Sequence, residues 1–162
     1  LNPAPAAALS DELLSCLTYV SPNEHEAALL SGLSLKADEH GVDQKDLDVI
    51  VQNMCFRGIK KLMITLGSNG AVLCDERDWI QIPCVHMTEV KDPTAAGDSF
   101  VGAFCTGIAG GLSEKEALQM AAYTAAITVS GMGAMPSLPT LDRVCELMKE
   151  RGAQELAEKV MN

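Results

Sequence analysis

The segment Asp92-Pro93-Thr94-Ala95-Ala96-Gly97-Asp98-Ser99-Phe100 carries the densest chemical signal in the chain, between a strand-like and a helix-like stretch. Read plainly, Asp92 caps a helix with Pro93 in its first turn. That leaves Gly97 and Asp98 early in a helix, where neither is favoured, and glycine costs about 1 kcal/mol against alanine. A helix start at Ala96-Gly97 fits the pattern better. Small residues there let a ligand reach the backbone, and free amides with the helix macrodipole form an anion site. The Asp98 carboxylate then stands beside the anion. An acceptor hydroxyl held between them can pass its proton to Asp98 while attacking phosphorus.

Two other pieces read first as local structure. Asn23 and Glu26 have the N-x-x-E spacing of a helix capping box, which is also compatible with presenting Glu26 through water to a metal. Thr65-Leu66-Gly67-Ser68-Asn69-Gly70 reads as a hairpin connection, with Asn69-Gly70 a type I′ turn signal, and Gly67 and Gly70 would admit a close ligand. No G-x-x-x-x-G-K-S/T loop occurs, which disfavours a Walker-type nucleotidase. Gly131 and Gly133 would ordinarily end the preceding helix. His25, His86, His40 and the methionines suggest structure only.

The segment at 92–98 resembles the Asp-x-x-Ala/Gly-Ala-Gly-Asp signature of the ribokinase (ribokinase/phosphofructokinase-B) family of sugar and nucleoside kinases. Its Ala95-Ala96 pair is closest to the branch that gives the family its name. Four further pieces are similar and come in the family's order: Asn2-Pro3-Ala4-Pro5-Ala6, Ser21-Pro22-Asn23-Glu24-His25-Glu26-Ala27, Thr65-Leu66-Gly67-Ser68-Asn69-Gly70, and Gly133-Ala134-Met135-Pro136-Ser137-Leu138-Pro139. The resemblance covers residues 1–162 as the C-terminal, nucleotide-binding portion of a family member.

That resemblance implies an ATP-dependent sugar kinase, with ribose (to ribose 5-phosphate) the first expectation and Asp98 the catalytic base. It implies an anion hole at the amides of Ala96, Gly97 and Asp98, and nucleotide contacts at Asn23, Thr65, Leu66, Gly67, Ser68, Asn69 and Gly70. Asn23 and Glu26 would shape the Mg²⁺ environment. K⁺ would be held by the Asp92 carboxylate, the Ser137 hydroxyl and carbonyls at Thr94, Thr128, Gly131 and Gly133; oxygen-only ligation of this kind suits a large, hard cation. Ala122 stands where the family usually has an Asn or His near adenine. The sugar-binding half and the lid that makes a homodimer would lie outside this chain, so residues 1–162 alone should not phosphorylate ribose. The alternatives are a family kinase for another sugar or a nucleoside, or a non-catalytic nucleotide-binding remnant; retention of Asn23, Glu26, Gly97 and Asp98 speaks against the last.

The rest of the chain must position these residues. Its 162 residues suit one domain, and 48% apolar composition suffices for a core. The formal net charge of −10 repels nucleic-acid phosphates and anionic lipid, which disfavours both as partners. Six cysteines (16, 55, 74, 84, 105, 145) have no C-x-x-C spacing, and those beside Met54, Phe56 and Phe104 read as reduced core thiols of a cytoplasmic protein. No signal peptide is visible, and the opening Leu1 suggests a missing segment. Residues 117–141 are uncharged, but Gly131, Gly133, Pro136 and Pro139 interrupt them short of a membrane span.

The expected elements are helices at 10–17, 23–30, 47–58, 96–108, 114–129 and from 141 onward. The expected strands are 18–20, 61–65, 71–74, 79–83 and 85–90. This alternation predicts an α/β layered domain with a mainly parallel sheet, and the family resemblance makes it part of a three-layer α/β/α fold.

Overall fold

The structure, a computed structural model, describes residues 1–35, 37–38 and 41–161. His40 lies outside them. The chain forms two compact units, Leu1–Pro83 and Cys84–Asn162.

In the first unit the elements are α1 (Asp11–Cys16), β1 (Tyr19–Val20), α2 (Glu24–Ser31), β2 (Ala37–Asp38), β3 (Gly41–Val42), α3 (Gln44–Phe56), β4 (Lys61–Thr65), β5 (Ala71–Cys74) and β6 (Trp79–Ile82). The main sheet has the order β1-β4-β5-β6, and β2 pairs with β3 separately. β1 runs parallel to β4, with Val20 opposite Leu62, because α2 and α3 in the intervening chain supply a crossover. β5 and β6 each return antiparallel, since the links at 66–70 and 75–78 are too short to cross over. The expectation of a mainly parallel sheet is therefore corrected. The sheet is mixed, with one parallel pairing among three.

The α3 residues Leu47, Ile50, Val51 and Met54 fall on one helical face, and they pack with Leu62, Ile64, Val72 and Cys74 in a single core cluster. Arg57, just after α3, ties the entry segment to this core. Its guanidinium donates to the Leu9 and Leu30 carbonyls at 2.8 and 2.7 Å and to Asp11 at 2.8 Å.

The second unit is helical among its described residues: α4 (Ala96–Ala109), α5 (Glu114–Val129), α6 (Ala134–Ser137), α7 (Leu141–Glu150) and α8 (Gln154–Met161). α4 and α5 pack closely, and a Cβ on Gly107 would lie 3.0 Å from the Ala117 Cβ. Residues 85–90 do not form the expected strand; they have no ladder partner among the described residues. The helix expected from 141 onward is two helices, broken at Gly152, whose φ of 82° an L side chain rarely adopts.

All six cysteines are free thiols. Cys55, Cys74 and Cys145 are buried, but Cys105 is exposed. One helical residue after the buried Phe104, it is turned about 100° away from the core. No described helix is long and apolar enough to cross a membrane.

Candidate active site

In the second unit, α4 begins at Ala96, as the sharper reading of the segment requires. Asp92 is not its cap. The Asp92 Oδ1 accepts the Thr94 N–H at 2.9 Å, and Oδ2 accepts the Gly133 N–H at 2.9 Å. The Thr94 side chain and amide, then the Gly133 amide, hold this carboxyl below the usual carboxylate range. The Lys91 and Asp92 amides both donate to the Val129 carbonyl, at 2.8 and 3.2 Å. The loop before α4 is thus fastened by two bonds to the last residue of α5 and by one to the loop that follows it.

Gly131 completes that second loop. A Cβ built there would fall 2.8 Å from the Ser137 Cβ and 3.6 Å from the Thr128 carbonyl oxygen, so only glycine permits this approach. Thr128 and Ser137 are both buried. Asp92, Thr94, Thr128, Gly131, Gly133 and Ser137, chosen from two stretches of sequence, therefore share one folded neighbourhood. Its chemistry is a carboxylate, hydroxyls and carbonyls, a donor set that fits a hard monovalent cation. The Val129 carbonyl was missed in the sequence. A main-chain acceptor leaves no mark on residue type.

At the head of α4 the Ala96 N–H donates to the Pro93 carbonyl at 3.2 Å, closing a tight turn, and the Ser99 N–H takes the Ala95 carbonyl at 2.9 Å. The Ala96 amide is thus engaged within this turn. No side chain caps the helix. Gly97 and Asp98 are exposed on the first turn, and a Cβ on Gly97 would meet nothing within 4 Å. First-turn amides of an uncapped helix have no intrahelical acceptor and attract anions. Ala95 has φ 63° and ψ 6°, the one positive φ outside glycine among the described residues. The left-handed region costs a non-glycine residue about 1–2 kcal/mol, and alanine forgoes about 1 kcal/mol as an N-cap.

In the first unit the Asn23 side chain accepts the Glu26 N–H, and Glu26 Oε2 accepts the Asn23 N–H, both at 2.8 Å. The capping box exists. Asn23 also bridges Thr65 in parallel fashion, and the Thr65 N–H reaches the Pro22 carbonyl at 3.1 Å, so two of the sequence motifs meet. The turn after Thr65 is not type I′. Gly67–Asn69 form one 3₁₀ turn, with positive φ at Gly67 (54°) and Gly70 (88°) and the Leu66 N–H on the Gly70 carbonyl at 2.8 Å. Ser68 and Gly67 are exposed on it, while Leu66 is buried. Ala122, at the adenine-side position, is buried in α5. No group of three or more His, Cys, Asp or Glu that could hold a metal occurs among the described residues.

The second unit thus holds an uncapped helix N-terminus, a first-turn carboxylate and an oxygen-lined loop, groups suited to an anionic ligand. Residues 1–141 match the family described as pfkB family carbohydrate kinase, and the chain belongs to that family. It is 38% identical to a ribokinase of Schizosaccharomyces pombe over 142 residues, covering 87% of this chain and 43% of that protein. A Haemophilus influenzae ribokinase is also 38% identical, over 92% of this chain and 46% of its own length. The structure of Arabidopsis thaliana ribokinase complexed with ribose and ATP matches with a TM-score of 0.81 and 32% identity, over 88% of this chain and 44% of that one. The chain thus has part of the ribokinase-like α/β fold and spans less than half the length of these relatives.

Proposed function

We propose that the whole protein transfers the γ-phosphoryl group of ATP to a hydroxyl of a sugar, ribose before any other. The observation that carries this reading is the head of α4: an uncapped first turn, open at Gly97, with Asp98 on the same turn. The names of the relatives support the choice of ribose.

In this reading Asp98 accepts the proton of the acceptor hydroxyl as its oxygen bonds to the γ-phosphorus. The bond from that phosphorus to the bridging oxygen breaks, and ADP leaves. The Gly97 and Asp98 amides face the charge that builds on the transferring group, where preorganised donors contribute most. Asn23 and the turn Thr65, Leu66, Gly67, Ser68, Asn69 and Gly70 supply the nucleotide contacts, and Ala122 contributes a methyl, not a polar contact. Mg²⁺, when bound, neutralises phosphate charge; one or two carboxylates beside the phosphates suffice for it, and Glu26 is suited to act through water. Asp92, Thr94, Thr128, Gly131, Gly133 and Ser137 would hold K⁺, which would act by stiffening the loop that leads into α4. The same reading makes the protein a cytoplasmic homodimer, consistent with six free thiols.

The test is a coupled assay on the full-length protein with ATP·Mg²⁺ and, in parallel, ribose, deoxyribose, fructose and a nucleoside. Ribose should have the highest kcat/KM. A nucleoside at the top would move the protein to the nucleoside branch, and no turnover with any acceptor would leave a nucleotide-binding remnant.

A further inference from the structure

In the first unit a cleft of about 480 Å³ opens between the C-terminal half of α3 and the link from β5 to β6. Val51 and Cys55, both buried, give it an apolar base, while Phe56 and Trp79 line it at 93% and 40% exposure. Folding leaves the Phe56 ring in water, so its apolar surface remains to be covered. The charged lining is acidic: Asp48, Asp75 and Glu76, with no lysine, arginine or histidine. Neutral donors steady two of these carboxylates. Gln44 Nε2 donates to Asp48 Oδ1 at 2.9 Å, and the Arg77 and Asp78 amides donate to Asp75 Oδ1 at 2.8 and 2.9 Å. Lys61 and Arg77 act on Asp75 from outside the lining, the Lys61 Nζ at 3.9 Å. The end of α3 adds to the negative field. Its last turn has no basic residue, and the Arg57 guanidinium just beyond is bound to Leu9, Leu30 and Asp11. A helix C-terminus so left carries partial negative charge. Burial first, then the charges of Glu76 and Asp75, push the Cys55 thiol up.

Beside the cleft runs a sheet edge. β6 ends the main sheet, and its outer side has no ladder partner among the described residues. Trp79 and Gln81 stand opposite Cys74 and Val72, both members of the α3 core cluster, so they lie on the face that α3 covers. Trp79-Ile80-Gln81-Ile82 carries no charge to keep another strand away. An extended chain laid along β6 would present every second side chain on the α3 face, where the cleft is. We infer that the cleft docks an extended basic segment of a partner protein, with an arginine side chain against Phe56 and Trp79 and its guanidinium on the carboxylates of Asp48, Asp75 and Glu76. Guanidinium suits this lining better than ammonium, because it is weakly hydrated, stacks on aromatic faces and forks onto carboxylates. The net charge of −10 draws a basic partner in and repels a second copy of this chain. None of these residues is assigned to phosphoryl transfer, so the inference stands apart from the function proposed above.

The experiment follows, by fluorescence anisotropy, a labelled Val-Arg-Val-Arg-Val peptide with blocked ends as the full-length protein is added. Versions with lysine or glutamate in place of arginine run beside it, and unlabelled arginine amide serves as competitor. The arginine peptide should saturate at one per chain, the lysine version should bind at least about threefold more weakly, and the glutamate version should not bind. Trp79→Ala should weaken the arginine peptide by at least about tenfold. Phe56→Ser should weaken it too while leaving the melting temperature unchanged, since the ring is exposed. Glu76→Gln should weaken binding by about threefold or more, and Glu155→Gln, which removes the same charge outside the lining, should stay within about twofold. Absence of saturable binding, or equal losses in Glu76→Gln and Glu155→Gln, overturns the inference. So does equal binding of the lysine version. Displacement of the peptide by an equal concentration of arginine amide would make this a site for small cations and overturns the docking of a segment.

Discussion

The Asp92 carboxylate accepts the Gly133 amide at 2.9 Å across 41 positions of sequence, so one anion ties the segment before α4 to the loop before α6. The same carboxylate accepts the Thr94 amide with its other oxygen. Anything that orders one loop through Asp92 must therefore order the other.

This coupling predicts a cation response. In the full-length protein, replacing Na⁺ by K⁺ at constant ionic strength should raise the initial rate, and Asp92→Ala should remove the response. Because the Thr94 and Gly133 donors hold the Asp92 carboxyl below its usual range, its tie to Gly133 should persist through mildly acid pH. It is lost only as pH falls through that lowered value. Equal rates in the two salts would retire the cation while leaving Asp98 in place.

The loop at Gly131 gives a prediction about folding. Gly131→Ala places a methyl 2.8 Å from the Ser137 Cβ, a separation that real structures do not tolerate. The loop must shift, at a cost of about 1–3 kcal/mol. Chemical denaturation should show that loss, and an unchanged midpoint would mean that Ser137 moves freely. Gly97→Ala, with open space around its Cβ, is the matched control.

The α4 start, the Asn23–Glu26 box and the α3 apolar face were legible in the sequence because each is encoded by side-chain type at short spacing. The sheet direction was not. Counting strands and helices suggests crossovers, whereas direction depends on link length, and residues 66–70 and 75–78 are hairpin links. Residues 85–88 alternate in polarity as a strand does, yet no neighbouring strand pairs with 85–90 among the described residues. At the site, side chains such as Asp92 and Asp98 were identifiable. The Val129 carbonyl, the engaged Ala96 amide and the left-handed Ala95 are backbone events, which residue type does not announce.

A pH dependence follows from Glu116. Lys159 first, then the Ser113 hydroxyl and amide, bind its carboxylate and lower its pKa from 4.5 to about 2. The folded value lies below the unfolded one, so this group contributes stability that is fully present above about pH 4.5. That stability is lost as pH falls from there toward 2. Glu116→Gln should lower the melting temperature at pH 6 and flatten its dependence on pH between 4.5 and 2. An identical acid limb in the variant would assign the dependence to other carboxylates. The pair is exposed, and salt should weaken its effect.

The last prediction separates the base from the amides on α4. Asp98→Asn keeps the size and much of the polarity of the side chain but cannot accept the acceptor's proton. In the full-length protein kcat should fall by about 10²–10⁴, with little change in ATP affinity, because the loss falls on the chemical step. Gly97→Ala should behave differently. Gly97 has an ordinary negative-side φ and no neighbour within 4 Å of a built Cβ, so the fold accepts the methyl. Helix propensity favours the change by up to about 1 kcal/mol. The methyl would nevertheless occupy the space through which a phosphoryl oxygen reaches the backbone, so kcat/KM should fall at least about tenfold in a protein that is equally or more stable. Thermal melts beside steady-state kinetics on both variants decide it. Normal turnover in Asp98→Asn would remove the base, and normal turnover in Gly97→Ala would mean that the transferring group does not approach the α4 first turn at Gly97.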